Sequence, residues 1–219
     1  WCITVICVDQ VEPFQGVNYY RQRFNKSCIL KGNIIWEWNI ADHLVQDVNP
    51  ASSNYGVIKE HPEKLDPNFG TGVSGDWIHM NSFDFNETLD HAVINNSTFS
   101  EFYVIDHGAT FLVGDPEGSI ELAAGKAGDF VYRWGNSCVY DSGECPSMTN
   151  EGMSTSNGHQ QVFFSHDIQW ITSRETPIIE AQMPGIGNFL IPFKSGKTLF
   201  LLAVNKSSSG QNKFASNLL

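Results

Sequence analysis

Basic residues and long apolar runs are both scarce in this chain. Its 219 residues include 13 Lys and Arg against 24 Asp and Glu, which gives a formal net charge of −11. We therefore expect no nucleic-acid partner, because so acidic a protein repels a polyanion. The longest apolar runs, such as Thr198–Val204, fall far short of the roughly 20 residues that a membrane-spanning helix needs. With 41% hydrophobic and 17% charged residues, the composition favours a folded chain with a core and no membrane span.

Motifs for metal binding and for several common reactions are missing as well. The sequence has no C-x-x-C pair, no HExxH, no EF-hand loop and no G-x-S-x-G. We therefore expect neither a metal site nor a catalytic serine of this type. Among the cysteines, Cys138 and Cys145 are seven positions apart in a polar stretch. They can close a small disulfide in an oxidising compartment, and two free thiols are the alternative.

Five N-x-[ST] sequons are compatible with an exported glycoprotein, although such tripeptides are frequent in a chain rich in Asn and Ser. They begin at Asn25, Asn86, Asn95, Asn96 and Asn205.

Short β-type runs separated by Gly, Asn, Asp and Ser predict an all-β protein. A single short helix is predicted at Asn39–Asp47. The predicted strands are Trp1–Val8, Asn33–Trp38, Ser82–Phe85, Ala92–Asn95, Glu101–Ile105, Asp129–Arg133, Gln161–Phe164, Ile168–Ile171, Asn188–Pro192 and Thr198–Val204. Their grouping into antiparallel meanders is typical of the four-stranded blades of a β-propeller, and a β-sandwich is the alternative.

Four of the seven histidines lie at the ends of patterned segments: His43, His79, His107 and His166. Several of them have an aspartate as a sequence neighbour, and a carboxylate can orient an imidazole. Adjacent side chains on a strand point to opposite faces, however, so a structural hydrogen bond is the alternative for each pair. The H-x-N spacing of His79 and Asn81 is more informative, since residues i and i+2 of a strand face the same side and can address one anion.

Seven segments, in this order, resemble the arylsulfotransferase family. They are WEW with DHLVQD from Trp36, NYGV from Asn54, GDWIHMNS from Gly75, FSE with VIDH from Phe99, GDFVYRWGN from Gly128, FSHDIQW from Phe164 and PGIGN from Pro184. The resemblance covers about residues 34–192. It implies that residues 1–219 form a single domain that is part of a six-bladed β-propeller, with an N-terminal part of the family domain missing.

The resemblance also implies a reaction. In this family a histidine carries a sulfuryl group from an aryl sulfate to a phenol, without a nucleotide donor or another cofactor. His166 matches the nucleophile, and His79 and Asn81 match the H-x-N pair that holds the sulfuryl oxygens. Arg133 and His43 are candidates for substrate binding, with a structural role as the alternative for each. Family members are usually exported, so we expect a secreted or periplasmic protein; a homo-oligomer is left open.

One position departs from the family pattern. Ser97 stands where the resemblance places an arginine. Loss of a guanidinium that grips two oxygens costs about 2 to 4 kcal/mol of transition-state stabilisation. The alternative function is therefore a catalytically impaired propeller that serves as a binding or structural module.

Overall fold

Three antiparallel sheets dominate the computed structural model of the chain. The structure describes residues 2–14, 17–28, 34–69, 78–148, 154–171, 178–183, 187–192, 202–206 and 212–215. The first sheet contains β1 (Cys2–Phe14), β2 (Val17–Cys28) and β3 (Ile34–Asn39); the second contains β4 (Ser82–Asn86), β5 (His91–Asn96), β6 (Glu101–Asp106) and β7 (Phe130–Trp134). A two-stranded ribbon of β8 (Ser147–Met148) and β9 (Ser154–Ser156) follows. The third sheet contains β10 (His166–Ile171), β11 (Ile178–Met183), β12 (Gly187–Pro192), β13 (Leu202–Lys206) and β14 (Asn212–Ala215).

Within each sheet the strands are neighbours in chain order. The second sheet is regular: Val93 of β5 lies opposite both Asp84 of β4 and Val104 of β6. This meander connectivity confirms the all-β prediction. The described strands form no closed barrel, and the propeller stays a prediction.

The central strands of the second sheet, β5 and β6, are buried on both faces, and only the first residue of β5 and the last residue of β6 are partly exposed. Because strand residues alternate between faces, the sheet supplies side chains to two separate cores. One core joins it to β3 and contains Trp36, Trp38, Ala92, Ile94, Tyr103, Ile105 and Phe130. The other joins it to β10 and β11 and contains Val93, Phe102, Val104, Ile168, Trp170, Ile179 and Ala181.

Side chains of β4 fix the position of β10. The Ile168 amide donates to Ser82 Oγ at 3.0 Å, and the Trp170 amide donates to Asp84 Oδ2 at 2.7 Å. These alternate amides of β10 are therefore satisfied by β4 side chains. This pairing holds the start of β10, and so His166, beside the second sheet.

The predicted helix at Asn39–Asp47 is wrong. Only a 3-10 turn forms, at Ile40–Asp42, with the Asn39 side chain accepting from the Ala41 amide at 3.1 Å. Beyond it, the backbone of His43 and Val45 bonds to Leu65. These hydrogen bonds to a segment about 20 residues away replace the i to i−4 bonds that a helix needs.

Within the described ranges the one α-helix lies elsewhere, at α1 (Pro116–Ala124), which packs against β3. Asp115 caps it by accepting from the Gly118 amide at 2.9 Å, and Pro116 occupies the first turn. An Asp before a Pro is a helix-start signal. Further 3-10 turns lie at Ile58–Glu60, Lys126–Gly128 and Ser137–Tyr140.

The predicted strand at Gln161–Phe164 is also wrong. These residues form a loop in which Gln161 donates to the Gly135 carbonyl and Phe164 donates to Ser100 Oγ. Phe164 has a φ of 48°, in the left-handed region and outside the range of regular β-strands.

The Cys138–Cys145 disulfide is present, with the two Cα atoms 5.0 Å apart. Among the described residues, no helix has the length and apolar character required to cross a membrane.

Three of the five sequon asparagines are buried in the second sheet: Asn86, Asn95 and Asn96. Each uses its amide group in hydrogen bonds inside the fold. A glycan on any of them is incompatible with this structure. The side chains of Asn25 and Asn205 lie outside the described residues.

Gly135, just after β7, is expected to be intolerant of a side chain. A Cβ there would overlap the Ser100 carbonyl oxygen and lie 2.9 Å from Glu101 Cα, and its φ is 134°. Gly114, with a φ of 81°, has no atom within 4 Å of the equivalent Cβ. We predict that Gly114→Ala costs about 1 kcal/mol and that Gly135→Ala costs a further 1 to 3 kcal/mol, about the usual penalty of overpacking. Urea denaturation of the two variants measures both values; equal losses would contradict the proposed clash.

Candidate functional site

A buried group of polar side chains joins the segments that contain Asn81 and His166. We call Asn81, Asn95 and Ser165 the asparagine cluster. Asn95 Nδ2 donates to Asn81 Oδ1 at 2.7 Å and to the Ser165 carbonyl at 2.6 Å. Asn95 Oδ1 accepts from Ser165 Oγ at 2.5 Å, and Asn81 Nδ2 donates to the same Ser165 carbonyl at 3.0 Å. Residues 84 positions apart in the sequence are therefore directly bonded.

The turn between β5 and β6 makes a second connection. The Ser97 amide donates to the His79 carbonyl at 3.2 Å. Ser100 Oγ, at the other end of the turn, accepts from the Phe164 amide at 3.2 Å. The end of β5 and its turn thus hold both the His79–Asn81 segment and the segment that leads into His166.

His166 is exposed to solvent at the first position of β10. Its Nδ1 lies 2.8 Å from the Phe164 carbonyl oxygen. A carbonyl only accepts, so this bond requires a proton on Nδ1 and leaves the lone pair of the neutral ring on Nε2. Asp167, the sequence neighbour of His166, is not the partner of Nδ1.

The backbone around His166 adopts conformations that non-glycine residues rarely occupy. Phe164 has a φ of 48° and Asp167 a φ of 53°. Left-handed conformations cost about 1 to 3 kcal/mol each and persist only where surrounding bonds enforce them. Here the bonds from Ser100 and from the asparagine cluster do so. The Phe164 side chain is 63% exposed beside the histidine.

The two members of the H-x-N pair differ in exposure, and the partners of Asn81 are defined. His79 is exposed, and Met80, which follows it, is buried. Asn81 Oδ1 accepts from Asn95 Nδ2 and from Ser82 Oγ, and one Nδ2 hydrogen goes to Ser165. One Nδ2 hydrogen of Asn81 is left for a ligand.

Arg133, a candidate for substrate binding, is buried in β7. Its Nε and Nη2 donate to both carboxylate oxygens of Glu101, and its Nη1 donates to the carbonyls of Pro62 and Lys64 at 3.1 and 2.8 Å. The guanidinium also lies 4.2 Å from the centre of the Tyr140 ring. With this many donors engaged inside the protein, the geometry favours the structural alternative for Arg133.

Burial and charge attraction shift the pKa values of Glu101 and Arg133 in opposite directions. Burial raises the pKa of the Glu101 carboxyl above its usual range, although Arg133 opposes the shift. Burial alone lowers the pKa of Arg133, but the Glu101 carboxylate outweighs it and raises the net pKa. Since arginine stays protonated in proteins, Glu101 and Arg133 form a buried ion pair that ties β6 and β7 to residues 62–64.

His43 and His107 are both buried against the core. His43 Nδ1 lies 2.8 Å from Asp129 Oδ1, and its ring stacks on Trp38 with the centroids 4.9 Å apart. His107 Nδ1 lies 2.7 Å from Asp90 Oδ1. The full burial of His43 favours its structural alternative over substrate binding.

A surface cavity of about 350 Å³ opens beside Asp129. It is lined by Asp42, His61, Glu63, Lys64, Ala124, Gly125, Lys126 and Asp129. His79, His166 and the asparagine cluster do not line it. Among the described residues, no group of three or more His, Cys, Asp or Glu side chains is arranged to hold a metal ion.

Comparison with known proteins supports the family resemblance. Residues 28–119 match the family model described as Arylsulfotransferase (ASST), which confirms the resemblance over that segment and points to a transferase-like enzyme. The match includes His43, His79, Asn81, Asn95 and Ser97; Arg133 and His166 lie beyond it. No curated protein and no solved structure matches the chain.

Asn95, Ser100 and Ser165 were not identified as site residues from the sequence. One signal for Asn95 exists: it is a polar residue at the end of the apolar run AVI in a strand buried on both faces. Such an asparagine needs internal partners. The sequence does not reveal those partners, because they lie up to 70 residues away.

Loss of Arg133 is predicted to destabilise the fold because it leaves Glu101 buried without its cation. We expect Arg133→Met to cost about 3 to 5 kcal/mol, the usual penalty for breaking a buried ion pair. The double variant Arg133→Met/Glu101→Leu is expected to lose less than the sum of the two single variants. Urea denaturation gives these free energies. A loss below about 1 kcal/mol for Arg133→Met, typical of an exposed pair, would contradict the structural role.

Proposed function

We propose that this chain transfers a sulfuryl group from an aryl sulfate to a phenolic acceptor through a sulfohistidine at His166, without a cofactor. The observation that carries the proposal is the asparagine cluster, which bonds the Asn81 side chain to the residue directly before His166. Both His79 and His166 are exposed to solvent. The family match over residues 28–119 supports the reaction class.

The first half of the reaction forms the sulfohistidine. The lone pair on His166 Nε2 attacks sulfur, the bond between sulfur and the aryl oxygen breaks, and the phenolate leaves with the electron pair. The hydrogen bond from Nδ1 to the Phe164 carbonyl stabilises the positive charge that develops on the ring. In the second half, a phenol oxygen attacks sulfur, the bond to Nε2 breaks, and the phenol proton is released.

The H-x-N pair supplies polar groups to the same reaction. The remaining Nδ2 hydrogen of Asn81 can hold a sulfuryl oxygen, since developing negative charge is stabilised by fixed donors. His79, when protonated, can donate to the departing phenolate oxygen. Ser97 supplies no guanidinium, and Arg133 is committed to Glu101. We therefore expect a slow enzyme, whose transfer rate is about 10²- to 10³-fold lower than that of an enzyme that retains the arginine.

The stacking of the sheets supports the proposed architecture. The four-stranded meander β4–β7 packs face to face between β3 and the strands β10 and β11. Adjacent blades of a propeller pack in this way. We propose that these sheets are part of a propeller in an exported protein, which is compatible with the Cys138–Cys145 disulfide.

A second candidate function is a binding module without catalysis. Two observations favour it: Ser97 is buried at the position of the family arginine, and the guanidinium of Arg133 is held inside the fold. Such a module would bind an aryl sulfate without cleaving it.

Covalent labelling separates the two candidates. We predict that incubation with 4-nitrophenyl sulfate releases nitrophenolate and adds one sulfuryl group to His166, detected by mass spectrometry of peptides prepared at alkaline pH. His166→Gln is expected to abolish both signals, because the nucleophile is gone. His61→Gln, which changes a half-buried histidine bonded to Glu63, serves as the matched control and is expected to keep both.

A folded wild-type chain that binds the aryl sulfate and gains no label would contradict the transferase proposal and favour the binding module. Labelling that persists in His166→Gln would assign the reaction to another residue.

A further inference from the structure

We propose that Asn95 is a positioning residue of the transferase site: its buried amide holds the Ser165 peptide and the Asn81 side chain so that His166 presents Nε2 to the substrate. This inference rests on the proposed function. Asn95 does not touch the substrate in this scheme. It acts through the two segments that do.

The hydrogen bonds of Asn95 determine its orientation. Both Nδ2 hydrogens are used, since one goes to Asn81 Oδ1 and one to the Ser165 carbonyl. The carbonyl can only accept, so the amide cannot be rotated by 180° without loss of a bond. Oδ1 receives the Ser165 hydroxyl. Every polar atom of this fully buried side chain has a partner in the site.

The backbone around His166 shows what these bonds maintain. Ser165 lies directly after Phe164, and Asp167 follows His166; Phe164 and Asp167 are both in the left-handed region. Without anchoring, this segment is expected to relax to ordinary conformations, since the strain is otherwise uncompensated. The Phe164 carbonyl would then move away from His166 Nδ1, and the preference for a proton on Nδ1 would be lost.

Asn96 provides a natural contrast. It is as deeply buried as Asn95. Because it is the next residue of β5, its side chain faces the opposite side of the strand. Its amide donates to the Tyr103 hydroxyl at 3.1 Å and accepts from the Phe99 amide at 3.1 Å. These bonds stabilise the core that the second sheet shares with β3, and none of them involves residues 164–167.

The test compares Asn95→Asp with Asn96→Asp in the full chain. In Asn95→Asp an oxygen of nearly the same size replaces the donor that faces two acceptor oxygens, so attraction becomes repulsion. We expect the rate of sulfohistidine formation from 4-nitrophenyl sulfate to fall about 10²-fold, as a small misplacement of reacting atoms does, with little change in KM. Asn96→Asp is expected to lose stability without this loss of rate. Thermal melting shows how much of each variant is folded.

Two further measurements keep the test decisive. Ser165→Ala removes only the bond to Asn95 Oδ1, so it is expected to fold and to lose rate by a smaller factor. Nitrogen-15 NMR of His166 reports the ring protonation directly: the wild type is expected to carry its proton on Nδ1, and Asn95→Asp is expected to shift toward the Nε2-protonated form.

The NMR measurement does not depend on any reaction, so the outcomes are distinguishable. If the wild type is never labelled at His166, the transferase proposal fails, while a tautomer shift in Asn95→Asp still supports positioning. If the wild type is labelled, and Asn95→Asp and Ser165→Ala keep its rate and tautomer, the positioning role is overturned and the proposed function remains.

Discussion

The burial of both faces of the central strands of the β4–β7 sheet is the constraint on which the rest of the structure depends. Cover by β3 on one side and by β10 and β11 on the other leaves the inner residues of the central strands β5 and β6 without access to solvent. Each polar group on these residues must find an internal partner or destabilise the fold. The Asn95 amide and the Glu101–Arg133 pair are two solutions to this requirement: Asn95 joins the catalytic candidates, and Glu101–Arg133 joins the sheet to a loop.

The alternation of side chains made part of this architecture predictable. Strands β4, β5, β6 and β7 were all expected from their short β-type runs, whereas the spacing of Cys138 and Cys145 left a disulfide and two free thiols as alternatives. The helix was assigned to the wrong segment: the apolar spacing of residues 39–47 is compatible with a helix, but the backbone of His43 and Val45 bonds to Leu65 instead of within the segment. The Asp-Pro start signal of α1 was present in the sequence and was passed over.

The histidine pairs show why the site was harder to predict than the fold. His43, His107 and His166 each have an aspartate next to them in the sequence, and none is bonded to that neighbour through Nδ1. Their Nδ1 partners are Asp129, Asp90 and the Phe164 carbonyl. Two of these partners are distant in sequence and the third depends on a left-handed turn, so spacing alone could not identify them.

The sequons in β5 have a consequence for how the chain is produced. Asn95 and Asn96 present acceptor tripeptides while the chain is extended and bury them once β5 pairs with β4 and β6. An oligosaccharide attached during translocation would block that pairing and leave both neighbouring cores open to water. In a host whose secretory pathway contains oligosaccharyltransferase, pairing of β5 with its neighbours competes with glycosylation, and the faster process decides the outcome. A host that lacks the enzyme avoids this competition.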